Sequence, residues 1–123
     1  MQRILVIYDD PASQAILREI LESAGYDVTV APCGPIAMND CLTTKPGLVV
    51  LDIWLPGTLT QNLCRQIRDK SKNVSLLVLT VISDVEEVVT LLKLGADGYI
   101  TKPFSPLEFV ARVRAAIRYG GTW

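Results

Sequence analysis

The sequence predicts an α/β protein: a doubly wound parallel sheet of five strands, with five helices. Three observations predict it. Short apolar runs alternate five times with segments of helical periodicity, as parallel strands joined by crossover helices require. The runs are apolar at consecutive rather than alternate positions, as strands covered on both faces must be. Charged or hydroxyl residues follow several runs at once, and in open α/β sheets chemistry collects outside the carboxyl ends of the strands.

The elements follow in order. Arg3-Ile4-Leu5-Val6-Ile7-Tyr8 is rich in β-branched and apolar residues and reads as a buried first strand. Asp10 as N-cap, with Pro11 at the first helical position, opens a helix. Ile16, Leu17, Ile20, Leu21 and Ala24 recur at helical spacing, and Gly25 ends it. Residues 26–31 alternate as a more exposed second strand, with Val28 and Val30 on one face. Residues 36–43 form a short second helix of weaker pattern, and Pro46-Gly47 breaks the chain. Leu48-Val49-Val50-Leu51 then runs straight into Asp52, with Trp54 two residues on and the turn signal Pro56-Gly57 after it. A third helix is expected over residues 60–70, on Leu63 and Ile67. Ser75-Leu76-Leu77-Val78-Leu79 is a fourth strand ending in Thr80, and residues 84–94 a fourth helix stopped by Gly95. Gly98-Tyr99-Ile100-Thr101 is a fifth strand, followed by Lys102-Pro103-Phe104. Ser105, with Glu108 three residues on, is a capping box for a last helix reaching about Arg118.

The bulk numbers bound the function. The 123 residues are 50% hydrophobic, which suits one domain over residues 1–119 with a tail or linker start at 120–123. A net charge of -1 argues against a nucleic-acid or membrane surface in this segment. The first apolar run is short and ends in Asp9-Asp10, so it does not read as a signal peptide. Cys33, Cys41 and Cys64 are odd in number and lack metal-ligand spacing, so they are expected as reduced thiols of a cytoplasmic protein. The absence of histidine excludes Ser-His-Asp and Cys-His catalysis and most zinc sites.

The strand ends form a constellation. The first strand supplies Asp9 and Asp10, the third Asp52, the fourth Thr80 and the fifth Lys102. In strand order 2-1-3-4-5 the first and third are neighbours, and their ends bracket the topological switch point. Three carboxylates at one spot are costly unless a cation joins them. Hard oxygen ligands with open positions suit Mg²⁺. A carboxylate beside Mg²⁺ and a lysine can attack phosphorus, and phosphoryl transfer needs mainly positioning and charge neutralisation. Taken singly, Asp52 is as readily a loop cap, Thr80 a strand-end hydroxyl, Tyr99 a half-buried sheet aromatic and Lys102 a solvated lysine.

In this order and at these spacings, the residues resemble the receiver domain of bacterial two-component response regulators, the CheY-like family. The parts that carry the resemblance are Asp9-Asp10, the run Leu51-Asp52-Ile53-Trp54-Leu55-Pro56-Gly57, Leu79-Thr80, and Gly95-Ala96-Asp97-Gly98-Tyr99-Ile100-Thr101-Lys102-Pro103-Phe104. The resemblance implies a flavodoxin-like fold and a phosphoacceptor signalling domain rather than an enzyme. Asp52 would take a phosphoryl group from a sensor histidine kinase. Mg²⁺ would be held by Asp9, Asp10, Asp52 and the backbone carbonyl of Trp54. Thr80 and Tyr99 would be the switch pair, Lys102 would contact the phosphoryl group, and Lys102-Pro103 would be cis. The segment from Tyr99 to Ala115 is similar to the winged-helix (OmpR/PhoB-type) subfamily. That implies transcriptional regulation, a C-terminal DNA-binding output domain beyond this chain, and a homodimer through the fourth helix, fifth strand and fifth helix. Asp97 and Arg112 match charges that pair across that face.

The chain also departs from the family. Counting back from Pro11, the acidic pair falls on Tyr8 and Asp9, so a tyrosine replaces one acid and Mg²⁺ affinity should fall. Val81 stands where a small residue is usual, Thr60 where glycine is common, and Gly47 where an Asp usually precedes the strand. Val88 stands in place of a basic partner for Glu108, and Lys93 and Arg114 are both positive. The stripe Val85, Val88, Val89 and Leu92 is expected mostly to be core packing. A degenerate pseudo-receiver, acting only as a protein-interaction module, is the alternative. An enzyme of the haloacid-dehalogenase class would want an acid at Trp54, and a dinucleotide fold a Gly-rich turn in place of Asp-Asp-Pro.

Overall fold

The computed structural model describes residues 2–8, 11–31, 45–52, 57–70, 73–80 and 85–119, with 39 and 43, and the backbone alone at 52, 57–60, 80, 85, 87, 88, 118 and 119. Five parallel strands form one sheet: β1 (Arg3–Ile7), β2 (Asp27–Ala31), β3 (Leu48–Asp52), β4 (Ser75–Thr80) and β5 (Gly98–Thr101), in the order β2-β1-β3-β4-β5. The helices are α1 (Pro11–Ser23), α2 (Gly57–Lys70), α3 (Val85–Lys93) and α4 (Pro106–Tyr119). Four helices are thus counted among the described residues, against five expected. Of the expected helix at 36–43, only Asn39 and Thr43 are described: both are helical, and the Thr43 hydroxyl donates to the Asn39 carbonyl at 3.0 Å.

The continuous apolar runs are explained by a core on each side of the sheet. Leu5, Ile7, Val49, Leu51, Leu76 and Val78 meet Leu63, Cys64 and Ile67 of α2 and Leu91 of α3. The alternate residues Ile4, Val6, Leu48, Val50, Leu77 and Leu79 meet Leu17 and Leu21 of α1 and Phe109 and Val113 of α4. The helices that follow β1 and β3 therefore lie on opposite faces. The chain diverges between these two strands, which opens a crevice at their carboxyl ends.

Helix ends follow local chemistry. After α1 the Tyr26 amide donates to the Leu21 carbonyl and the Gly25 amide to Glu22, with Gly25 at φ 96°. After α3, Ala96 donates to Leu91 and Gly95 to Leu92, with Gly95 at φ 120°. Both are Schellman closures, which need a residue at positive φ after the helix. The Ser105 hydroxyl accepts the Glu108 amide at 3.0 Å, as the predicted cap of α4 should. Helix α2 begins at Gly57, three residues before its expected start, and Pro56 of the Pro-Gly turn signal lies outside the described residues. On α3 the buried residue is Leu91, while Val89 and Leu92 are 41% and 40% exposed. Of the stripe Val85, Val88, Val89 and Leu92 expected mostly in the core, Val89 and Leu92 are corrected to exposed, while the side chains of Val85 and Val88 lie outside the described residues. With Leu91 inward the helix is apolar on two sides, and periodicity does not say which side turns inward.

Candidate functional site at the carboxyl edge of the sheet

The strand register brings the predicted site positions to one edge. Ile7 pairs with Leu51, so Tyr8 and Asp52 are the next residues outward on neighbouring strands. Asp52 pairs with Leu79 of β4, and Thr80 pairs with Thr101 of β5, directly before Lys102. Asp9, Asp10, Trp54 and Val81, and the side chains of Asp52 and Thr80, lie outside the described residues.

Lys102 is the described charge of this edge. Its ammonium donates to the Tyr8 phenol oxygen at 3.1 Å and lies 4.8 Å from the centre of the Tyr8 ring. The two residues belong to β5 and β1 ends, with β3 and β4 between them. At about 4.8 Å per strand, the two long side chains together bridge roughly 14 Å of sheet edge. Both ends of the bridge are anchored. Tyr8 is 9% exposed, its amide donates to the Ala31 carbonyl at 3.1 Å, and its carbonyl accepts from the Gln14 side-chain amide. Beyond Lys102 the peptide to Pro103 is cis, and the Phe104 ring lies 5.3 Å from that of buried Phe109. A groove of about 370 Å³ borders the pair, lined among others by Ile16, Ile20, Phe104 and Pro106.

Comparison with known proteins identifies the family. The family model for the response regulator receiver domain matches residues 4–114. The chain belongs to that family. The receiver is 43% identical over 117 residues to the DNA-binding response regulator MtrA of Mycolicibacterium smegmatis, covering 95% of this chain and 51% of that protein. It is 41% identical over 117 residues to the alkaline phosphatase synthesis transcriptional regulatory protein PhoP of Bacillus subtilis, covering 95% and 49%. The receiver thus spans about half the length of these relatives, which are response regulators of the OmpR/PhoB type. Among solved structures, the receiver domain of a Pseudomonas aeruginosa sensor histidine kinase, with magnesium coordinated in its active-site cleft, superposes with a TM-score of 0.83 at 26% identity, covering 95% of this chain and 98% of that one. The observed strand order 2-1-3-4-5 is that of the flavodoxin-like CheY fold.

The structure brings some predicted residues of the receiver together and separates others. Tyr8 and Lys102 meet, although the sequence presents Tyr8 only as a missing acid. Tyr99 is 42% exposed on β5, in register with Val78. Asp97 lies at the other end of β5, away from this edge. One of its carboxylate oxygens accepts from Arg68 at 2.9 Å and from the Leu76 amide at 2.7 Å. Arg112, expected as its partner across a dimer, is exposed on α4. Gln14 and Arg68 were not singled out by sequence reasoning, because neither lies in a motif, and Arg68 acts on Gly95 and Asp97, 27 and 29 residues along the chain. Helix α2 also carries Cys64, which lies in the core beneath it. Burial pushes its thiol up to about 11, and the nearby Arg68 only partly opposes this.

Among the described residues no group of three acidic, cysteine or histidine side chains could hold a metal. The predicted set fits Mg²⁺ by its chemistry, since Asp9, Asp10, Asp52 and a backbone carbonyl are all hard oxygen donors. Tyr8 is not such a donor here, because its phenol oxygen accepts from an ammonium.

Proposed function

We propose that this receiver accepts a phosphoryl group on Asp52 from the phosphohistidine of a sensor histidine kinase. A carboxylate oxygen of Asp52 attacks phosphorus, the P–N bond to the imidazole breaks, and the freed imidazole nitrogen keeps the electron pair and takes up a proton. The product is an aspartyl phosphate. The observation that carries the reading is Lys102. Its ammonium is drawn across the strand ends to Tyr8, on a line that passes the end of β3, where Asp52 is the last residue. An anchored positive charge there offsets the charge on the equatorial phosphoryl oxygens. Asp9, Asp10, Asp52 and the Trp54 carbonyl would hold Mg²⁺, which when bound supplies further neutralisation of the phosphoryl oxygens.

In the same reading the Thr80 hydroxyl turns toward the new phosphate, and Tyr99, now exposed, moves inward. This shifts a two-state equilibrium at the output face. That face is α3, β5 and α4, where Val89, Leu92 and Tyr99 already present apolar surface for a homodimer. The output is transcription through a C-terminal DNA-binding domain, a reading supported by relatives about twice as long that include a DNA-binding response regulator and a transcriptional regulatory protein, and the protein works in the cytoplasm. No helix among the described residues is long and apolar enough to cross a membrane. The test is incubation with acetyl phosphate and Mg²⁺. Intact mass should rise by one phosphoryl group in the wild type and not in Asp52→Asn. A wild type that never gains mass, or an Asp52→Asn variant that does, refutes the proposal.

A further inference from the structure

We infer that Tyr8 is a positioning residue for Lys102: its phenol helps to hold the ammonium in place for the phosphoryl group. The inference rests on the phosphoacceptor reading and goes beyond it. Lysine carries a compact charge on four flexible methylenes, so an untethered ammonium samples many positions. Two contacts to Tyr8 restrict it, a hydrogen bond of 3.1 Å and the ring face at 4.8 Å. Both distances place the ammonium at the hydroxyl end of the ring, where the hydrogen bond sets its direction.

Tyr8 is itself held from both sides of its backbone. Its amide is bonded to Ala31 of β2 and its carbonyl to the Gln14 side chain of α1. Its ring is buried in the core cluster that includes Leu17 and Leu21. Lys102 is thereby tied to a rigid part of the molecule rather than to a loop.

The chemistry of the holder matters. A carboxylate at position 8 would also attract the lysine, but it would cancel its charge. A phenol accepts the hydrogen bond while remaining neutral, and the ring contributes through its quadrupole. The phenol itself therefore adds no counter-charge to the site. Tyrosine in place of an acid thus moves the local charge one unit toward positive and keeps the lysine ordered.

The experiment compares wild type, Tyr8→Phe and Tyr8→Leu by two readouts. The first is the acetylation rate of Lys102 by an N-hydroxysuccinimide ester, followed by peptide mass spectrometry, with Lys45 and Lys70 as internal controls. The second is the rate of mass gain at Asp52 with saturating acetyl phosphate and Mg²⁺. Tyr8→Phe keeps the ring and removes the hydroxyl, while Tyr8→Leu removes both contacts. Lys102 acetylation should rise in the order Tyr, Phe, Leu, and phosphorylation should fall in the same order. The fall should reach roughly tenfold, the weight of a hydrogen bond to a charged group. Tyr8→Phe is nearly isosteric and retains the core packing, so the comparison stands if Tyr8→Leu does not fold. Unchanged Lys102 acetylation in Tyr8→Phe overturns the inference. So does faster acetylation with an unchanged phosphorylation rate. A wild type that is never phosphorylated removes the parent reading and this inference with it, a failure visible before any variant is compared.

Discussion

Replacing Arg68 by alanine removes a guanidinium that ties together three segments at the amino-terminal edge of the sheet. It donates to the Val74 carbonyl at 2.7 Å, to the Gly95 carbonyl at 2.6 Å and to the Asp97 carboxylate at 2.9 Å. Hydrogen bonds to a charged group contribute about 1.5–3 kcal/mol each when the partners are left unsatisfied. The Arg68 and Asp97 side chains are 25% and 38% exposed, so water replaces part of what is lost. Halving the sum for that screening leaves a cost of about 2–4 kcal/mol for Arg68→Ala. Asp97→Asn keeps an acceptor for the Leu76 amide and loses only charge, for about 0.5–1 kcal/mol. The assay is urea unfolding of the single variants and the double variant. A coupling energy of about 1 kcal/mol is expected, because the two residues share a contact. Arg112→Ala, on the exposed face of α4, should leave the unfolding midpoint within about 0.5 kcal/mol of wild type. Coupling near zero, or a cost for Arg68→Ala below about 0.5 kcal/mol, refutes the clamp. The result also bears on dimerisation, since a carboxylate engaged within its own chain is a weaker anchor for a second copy.

Three further outcomes follow from the same geometry. Gly95→Ala should destabilise by more than about 1 kcal/mol in the same urea assay, because φ is 120° and the added Cβ meets Arg68 carbons at 3.0–3.1 Å. Cys64, raised from 9.0 to about 11, stays protonated when folded while the unfolded thiol ionises. Its contribution is therefore complete below pH 9 and is lost as pH rises toward 11. The loss amounts to about 2 kcal/mol at most and should be smaller in Cys64→Val when unfolding is compared at pH 7.5 and 10.5. Tyr8→Asp restores an acid beside Asp9 and should tighten Mg²⁺ binding by about tenfold in calorimetry, through the added ligand charge. An unchanged affinity would show that position 8 does not reach the metal.

Much of the fold was legible because its signals are local. Apolar runs, Gly25, Gly95 and the Ser105 cap each act within one turn or strand, and the structure uses them as read. The cis Lys102-Pro103 peptide and the receiver architecture were legible through the resemblance. What was misread involved choices between equivalent local patterns. Helix α3 is apolar on two sides, so the inward position of Leu91 over Val89 and Leu92 depended on which side met α2 and the sheet. The contact of Asp97 with Arg68, 29 residues away, is invisible to any local pattern, and a place for Asp97 on a dimer face stays a proposal.

The sequence alone determined the succession of strands and helices, the helix ends apart from the start of α2, and the list of residues that fall at strand ends. These depend on periodicity, capping and turn chemistry over a few residues. Only the tertiary structure decided that Tyr8 meets Lys102, 94 positions along the chain, and that Arg68 claims Asp97. Such pairs depend on strand order and on which face each helix covers, and no local pattern encodes them. The substitution of an acid by Tyr8 reads in sequence as a loss; in the folded sheet edge the same residue is the anchor of the site's lysine.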